Sequence, residues 1–215
     1  MPNLDAFWDF LFPPKCPFCG KLLEKGAVLC PDCRRDLPWL SGTGAKKKLE
    51  LTAGCVSSLR YQERVRAAIH DFKFHNAPAR GRPMGLLVAR CVQDHDLTAD
   101  LVSWPSLSKK RLRQRGYDQA QLLAKTVGKE LGLPVARTLG KEDRPAQSGL
   151  EGEAERRANI LGAYTAVNAR QLRGKTVLLV DDVVTTGATL SECAKTLLLA
   201  GAKEVVCATL ARAGG

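Results

Sequence analysis

The chain has no apolar run near the roughly 20 residues that a membrane helix needs. Its first residues show no basic stretch followed by a long apolar one, so no signal peptide is expected and a cytoplasmic location follows as the default. Aromatic residues make up only 6% of 215, and no run interleaves them with basic residues; a base-stacking surface contiguous in sequence is excluded. Histidine is scarcer still, three in all. His75 has no partner at ligand spacing and is expected to be neither a metal ligand nor catalytic. Two nucleotide fingerprints are also missing. Gly42-x-Gly44 follows no strand and meets no third Gly, so it is not a dinucleotide turn. Gly174-Lys175-Thr176 looks like the end of a P-loop, but Ala169 stands where that motif needs Gly. It also precedes a strand instead of following one, and an ATPase reading fails.

What is present is an ordinary globular composition with a strong basic excess. Apolar residues are 45% and charged residues 26%, enough for one α/β domain with a small appendage. Lys and Arg number 33 against 22 Asp and Glu, a net charge of +11. Two readings fit that charge: a polyanionic partner such as nucleic acid, or solubility combined with a site for a heavily charged small phosphate. Of eight Cys, four form two tight pairs. Cys55, Cys91, Cys193 and Cys207 are scattered among apolar neighbours and read as core residues in a reducing compartment.

The most informative stretch runs from Lys175 to Leu199. Thr176 to Val180 are aliphatic and β-branched, a buried strand ending in Asp181 and Asp182. A loop of small residues follows, Val183 to Thr189, and then Leu190, Cys193, Ala194, Leu197 and Leu198 recur at helix spacing before Gly201. Strand, acid pair, Gly/Thr loop and helix N-terminus in that order suit a ligand with a phosphate beside a sugar diol. An acid pair after a strand also occurs in nucleotide hydrolases and phospho-acceptor domains. The whole string, four aliphatics, two acids, two spacers and Thr-Thr-Gly-x-Thr, resembles the phosphoribosyl pyrophosphate (PRPP) signature of type I phosphoribosyltransferases. That resemblance implies that Asp181 and Asp182 face the ribose hydroxyls. It implies too that the loop from Val183 and Val184 through Thr185, Thr186, Gly187, Ala188 and Thr189 wraps the 5-phosphate.

Three further stretches carry chemistry. Cys16 and Cys19 form one C-x2-C and Cys30 and Cys33 a second, with Gly20 for the tight turn; four thiolates suit a closed tetrahedral Zn2+ site, with iron as the other metal four cysteines hold. After a strand at Asp100–Pro105, the loop SLSKKRLRQRGYDQ carries Lys109, Lys110, Arg111, Arg113 and Arg115. It suits pyrophosphate and a nucleic-acid backbone equally. Past a strand near Val135–Leu139 come Arg144, Gln147, Arg156, Arg157 and Asn159, which read either as a mobile loop closing over a ligand or as an exposed loop and a charged helix. The remaining pattern places a short helix at residues 4–12 with Leu4, Phe7, Trp8 and Leu11 on one face, and a strand at Cys55–Arg60. Helices follow around Val65, Ala68, Ile69 and Phe72, over residues 80–93, and along Ala120, Leu123, Ala124, Val127 and Leu131. The expected divisions are a four-Cys module at 1–40, a basic linker at 41–52, and the main domain at 53–215.

The succession of a four-Cys knuckle, RLRQRGYDQ, PAQSGL…ERRANILGAY and VLLVDDVVTTGATL is similar to the ComF (competence protein F) family over nearly the whole chain. The resemblance implies an α/β fold of type I phosphoribosyltransferase kind: a mainly parallel sheet with flanking helices, plus a small N-terminal zinc-ribbon module. It implies a role in DNA uptake during natural transformation, with PRPP and its Mg2+ as ligand and single-stranded DNA as partner. Competence-machinery proteins such as a DNA-uptake helicase are further partners it implies. An active phosphoribosyltransferase of unknown acceptor and a PRPP-sensing regulator are the alternatives. Two departures stand out: Trp104-Pro105-Ser106-Leu107 where the family reads Pro-Val-Pro-Leu, and Gly116-Tyr117-Asp118-Gln119 where it reads Gly-Phe-Asn-Gln. The first is expected to alter the backbone ahead of the basic loop, the second to add a negative charge beside it.

Overall fold

The structure is a computed structural model that describes residues 13–143 and 161–214. The helix expected at residues 4–12 and the candidate ligand-closing residues Arg144, Gln147, Arg156, Arg157 and Asn159 lie outside the described residues. In chain order the elements are α1 (Pro31–Asp36), α2 (Gly42–Ala45), β1 (Lys46–Lys47), β2 (Gly54–Arg60), α3 (Glu63–Phe74), α4 (Gly81–Asp94) and β3 (Leu101–Ser103). They continue with α5 (Lys109–Arg115), α6 (Gln119–Leu131), β4 (Leu139–Lys141), β5 (Tyr164–Ala166), β6 (Thr176–Val184), α7 (Ala188–Leu199) and β7 (Glu204–Arg212).

Five strands form one sheet in the order β1-β2-β7-β6-β3. β2, β7, β6 and β3 run parallel, and β1 lies antiparallel on the β2 edge. A parallel sheet must be covered on both faces, which explains why its central strands are apolar without alternation. Val177, Leu178, Leu179 and Val180 of β6 are all fully buried, two toward each face. On one face α3, α4 and α6 contribute Ile69, Phe72, Met84, Val88, Leu123 and Val127, and the four-Cys module adds Phe18 and Leu29. On the other face α7 supplies Leu190, Cys193 and Leu197. The four scattered cysteines are buried as expected.

The helical periodicities hold. The positions expected to face the core from α3, namely Val65, Ala68, Ile69 and Phe72, are those it buries. Asp118 caps α6 by accepting from the Gln121 amide at 3.2 Å, and Gly132 closes it in the left-handed conformation. Three local expectations change. The strand expected at Val135–Leu139 splits: Val135 makes one parallel bridge to Val102, and β4 begins at Leu139 in a separate antiparallel pair with β5. The Thr138 hydroxyl holds the chain at that departure through Ser103 Oγ at 2.6 Å. The strand expected to end at Asp181 and Asp182 continues through Val183 and Val184, read as the start of the loop, because β7 is equally long and pairs with it to Arg212. Residues 41–52, read as a linker, carry α2 and the edge strand β1, and they bury Leu49.

The crossing of α4 and α6 is built on small residues. Gly81 and Gly85, one turn apart on α4, face Leu122 and Thr126 of α6. A Cβ at Gly85 would lie 2.6 Å from Thr126 Cβ, which no side-chain rotation relieves. Overpacking of this kind typically destabilises by about 1–3 kcal/mol. Gly85→Ala is expected to lower unfolding free energy by that amount in a denaturant titration, with Gly44→Ala, where nothing lies within 4 Å, as the mild comparison.

Candidate functional site

The carboxyl ends of β2, β7, β6 and β3 share one edge of the sheet, the edge where open α/β sheets bind ligands. β6 delivers two acids there. Successive strand residues leave on opposite faces, and the neighbours of the two carboxyls follow that rule. Asp182, 2% exposed, meets Lys73 Nζ of α3 through Oδ1 at 2.7 Å. Its other oxygen, Oδ2, is buried with no hydrogen-bond partner among the described residues. Asp181 is half-buried and accepts from the Asp182 amide at 2.8 Å. Burial first, and the Asp182 charge second, push its carboxyl up to about 7. Burial alone would lower the Lys73 ammonium, but the Asp182 carboxylate outweighs it and lifts Lys73 above its ordinary value.

After Val183 and Val184 the chain turns through Thr185, Thr186 and Gly187 into α7. Thr185 and Thr186 are exposed, Gly187 sits at φ +94° as the N-cap of α7, and Ala188 and Thr189 open the helix half-buried. Thr186 Oγ1 accepts from the Ala188 amide at 3.3 Å. The turn is held from outside: Lys47 donates to the Thr185 carbonyl, and Leu49 lies where a Gly187 side chain would go, 2.3 Å from its Cβ position. With the Ala188 amide held by Thr186, the Thr189 and Leu190 amides of the first turn of α7 and the two exposed Thr side chains face the region beside the acid pair, an arrangement suited to an anion.

Cations reach the acids from three elements. Besides Lys73, Arg115 at the end of α5 is half-buried; burial lowers its guanidinium and the Asp182 charge opposes that shift. Lys141 of β4 stands over the Tyr164 ring at 4.8 Å and donates to its hydroxyl at 3.2 Å. Burial lowers its ammonium, Arg111 adds to that, and Asp181 opposes it. The basic loop is itself a seven-residue helix, which corrects the sequence expectation. Ser108 caps its start by accepting from the Arg111 amide at 3.4 Å, Asp143 accepts from the Lys110 amide at 3.1 Å, and Gly116 ends it at φ +80°. Lys109, Lys110, Arg111 and Arg113 are all exposed.

The cysteines converge as their spacing requires. Cys16, Cys19, Cys30 and Cys33 bring their Sγ atoms within 4.8 Å of one another. Gly20, at φ +75°, donates its amide to the Cys16 carbonyl at 2.9 Å and closes the first knuckle, while Cys30 starts α1. Four thiols and no other donor fit a closed structural zinc. The module is joined to the main domain by Arg64, which donates to Cys33 Sγ at 3.5 Å, and by Arg80, which donates to the Pro17 carbonyl at 2.8 Å.

Residues 116–215 match the family model described as phosphoribosyl transferase domain, and residues 7–45 that of a double zinc ribbon domain. Competence protein F of Haemophilus influenzae is 32% identical over 209 residues, which cover 93% of this chain and 85% of that protein. The chain belongs to the competence protein F family. DNA utilization protein YhgH of Salmonella typhimurium is 28% identical over 98% of the chain and 95% of its own length. Among solved structures, adenine phosphoribosyltransferase from Thermoanaerobacter pseudethanolicus superposes on 69% of the chain and 84% of its own, at 16% identity and a TM-score of 0.39. The fold is that of a type I phosphoribosyltransferase with an N-terminal zinc-ribbon module, as the competence protein F resemblance implied.

The two departures from the competence protein F pattern turn out to be one structural unit. Trp104 Nε1 donates to Asp118 Oδ2 at 3.3 Å, and the Leu107 amide donates to the same oxygen at 2.9 Å. The Asp118 carboxyl, raised mainly by burial, is thus turned inward as cap and clasp. Sequence reasoning missed Lys73 and Lys141, whose partners lie far along the chain, and missed what surrounds His75. His70, Asp71 and His75 bring ligand atoms within 4.8 Å of one another. Asp71 already accepts from His75 Nδ1 at 2.8 Å and Arg80 Nη2 at 3.0 Å, so this cluster reads as a hydrogen-bond network around Asp71.

A carboxyl raised in the fold binds its proton more tightly there than in the unfolded chain. Its stabilising contribution is therefore present at low pH and lost as pH climbs through about 7. Unfolding free energy without ligand is expected to fall from pH 5 to pH 8 more steeply in the wild type than in Asp181→Asn; equal slopes would refute the shift. Elemental analysis is expected to find one zinc per chain at the cysteine cluster, and Cys30→Ser to lose most of it. That variant should become protease-sensitive within residues 13–40.

Proposed function

We propose that the chain binds PRPP with Mg2+ at the β6–α7 loop and serves DNA uptake by contacting single-stranded DNA through its basic face. One observation carries the ligand reading: the Asp182 carboxylate is buried, held on one oxygen by Lys73 and without a partner among the described residues on the other. Buried carboxylate oxygens are rarely left unpaired in a folded protein. An Oδ2 beside a phosphate cradle is suited to accept from a ribose hydroxyl, with Asp181 taking the neighbouring one. Val183 and Val184 are the last paired residues of β6, and Thr185, Thr186, Gly187, Ala188 and Thr189 supply amides and hydroxyls for the 5-phosphate. Mg2+ takes oxygen ligands, and the two carboxylates and the ligand's own pyrophosphate are of that kind. Lys141, Arg115 and Arg111 stand where pyrophosphate charge would collect, which is also what transferase chemistry on a member of this fold would need.

The DNA reading is supported by the net charge of +11, by the exposed cations of α5, and by relatives whose names are competence protein F and DNA utilization protein. Calorimetry is expected to detect PRPP binding with Mg2+ in the wild type and none in Asp181→Ala/Asp182→Ala. Single-stranded DNA binding should persist in that double variant. If all five α5 cations engage phosphates, the salt slope is about −3.5, and a fourfold rise in salt weakens binding by about a hundredfold. Affinity that barely moves with salt would exclude the electrostatic contact.

A further inference from the structure

The scarcity of aromatics in the sequence is answered locally in three dimensions. Phe74, on the last residue of α3, is 59% exposed. The Arg115 guanidinium lies over its ring at 4.9 Å from the centroid, and the His70 ring lies tilted beside it at 4.9 Å. His75 stands edge-on to His70 at 5.2 Å. Three rings and a planar cation from two separate segments thus form one patch, and neither neighbour covers Phe74. The residue before Phe74 is Lys73, whose ammonium holds Asp182. Arg115 is also the last residue of α5, so the patch joins the acid pair on one side to the exposed cations on the other.

We infer that Phe74 is the stacking platform for a nucleobase of bound single-stranded DNA, with Arg115 clamping the ring and α5 holding the adjoining phosphates. The inference rests on the strand-binding reading above and says where a base goes. An aromatic face beside a cationic track is the arrangement by which proteins hold single strands without reading sequence, because every base offers a π-face. The track argues for a strand over a small free base. Lys109, Lys110, Arg111 and Arg113 are spread along a helix about 10 Å long, exposed on every side, which suits repeated backbone phosphates better than one pyrophosphate. Arginine adds both charge and a stacking plane.

The test uses the full zinc-loaded chain with two probes of equal length, an oligothymidylate and its abasic counterpart, which keeps the sugar-phosphate backbone and lacks the bases. Phe74→Ala is expected to weaken the oligothymidylate about tenfold and to leave the abasic strand unchanged. Phe74→Trp is expected to keep the affinity, with tryptophan fluorescence beyond that of the wild type quenched by the first strand only. Equal affinities of wild type and Phe74→Ala for the oligothymidylate would overturn the platform, as would an equal loss on both strands. Wild type that binds neither strand would instead defeat the strand-binding reading itself. Thymidine monophosphate binding that depends on Phe74, without oligothymidylate binding, would assign the patch to a small base and overturn the strand.

Discussion

The contact on which the site depends is the ion pair between Lys73 and Asp182. It joins the last turn of α3 to the carboxyl end of β6 across 109 residues of sequence and at 2.7 Å in space. Two charges taken out of water lose several kcal/mol of solvation each, which their mutual attraction recovers only with good geometry and satisfied remaining lone pairs. Among the described residues, Asp182 Oδ2 has no partner. The carboxylate is thus held in place on one oxygen, and Asp181 next to it, through its own burial first and the Asp182 charge second, holds its proton more tightly than usual.

The cations are arranged around this pair by layer. Lys73 comes from the helical layer on one face, Lys141 from the small β4–β5 sheet, and Arg115 from the end of α5. The zinc-ribbon module is packed into the same helical layer through Phe18 and Leu29 and touches it through Arg64 and Arg80. Arg80 also binds Asp71, which binds His75, so a single arginine ties the module to the turn that carries Lys73 and Phe74.

Much of the fold could be read from periodicity because local rules and tertiary demands agree there. Val65, Ala68, Ile69 and Phe72 are spaced for one helical face and that face is buried. The aliphatic run of β6 needs cover on two sides and has it. The cysteine spacing requires convergence and produces it. What could not be read lies where a partner far along the chain decides. Lys73 is an ordinary surface-type lysine until β6 is laid beside α3. Lys141 follows a glycine in a three-residue strand too short to show a pattern. The KKRLRQR segment has no apolar face, so no periodicity marks it as helical; its caps Ser108 and Gly116 were the only legible signs. The SGTGAKKK segment looked like a linker because small and basic residues suit one, yet Leu49 just beyond it is pinned against Gly187.

That same segment settles what happens at the border of the sheet. A parallel sheet whose last strand exposes a row of unpaired amides and carbonyls invites another chain to add to it. On the β2 side the row is covered by a single bridge from Trp39 to Leu59 and by β1, which is only two residues long, made of Lys46 and Lys47, and runs antiparallel to the rest. Arg212 ties it down by donating to the Lys46 carbonyl at 2.9 Å. A strand so short and so positively charged offers little to a neighbour in a concentrated solution and repels another copy of itself. Lys47, which holds the Thr185 turn, thus also belongs to an edge strand whose shortness and charge disfavour edge-to-edge aggregation.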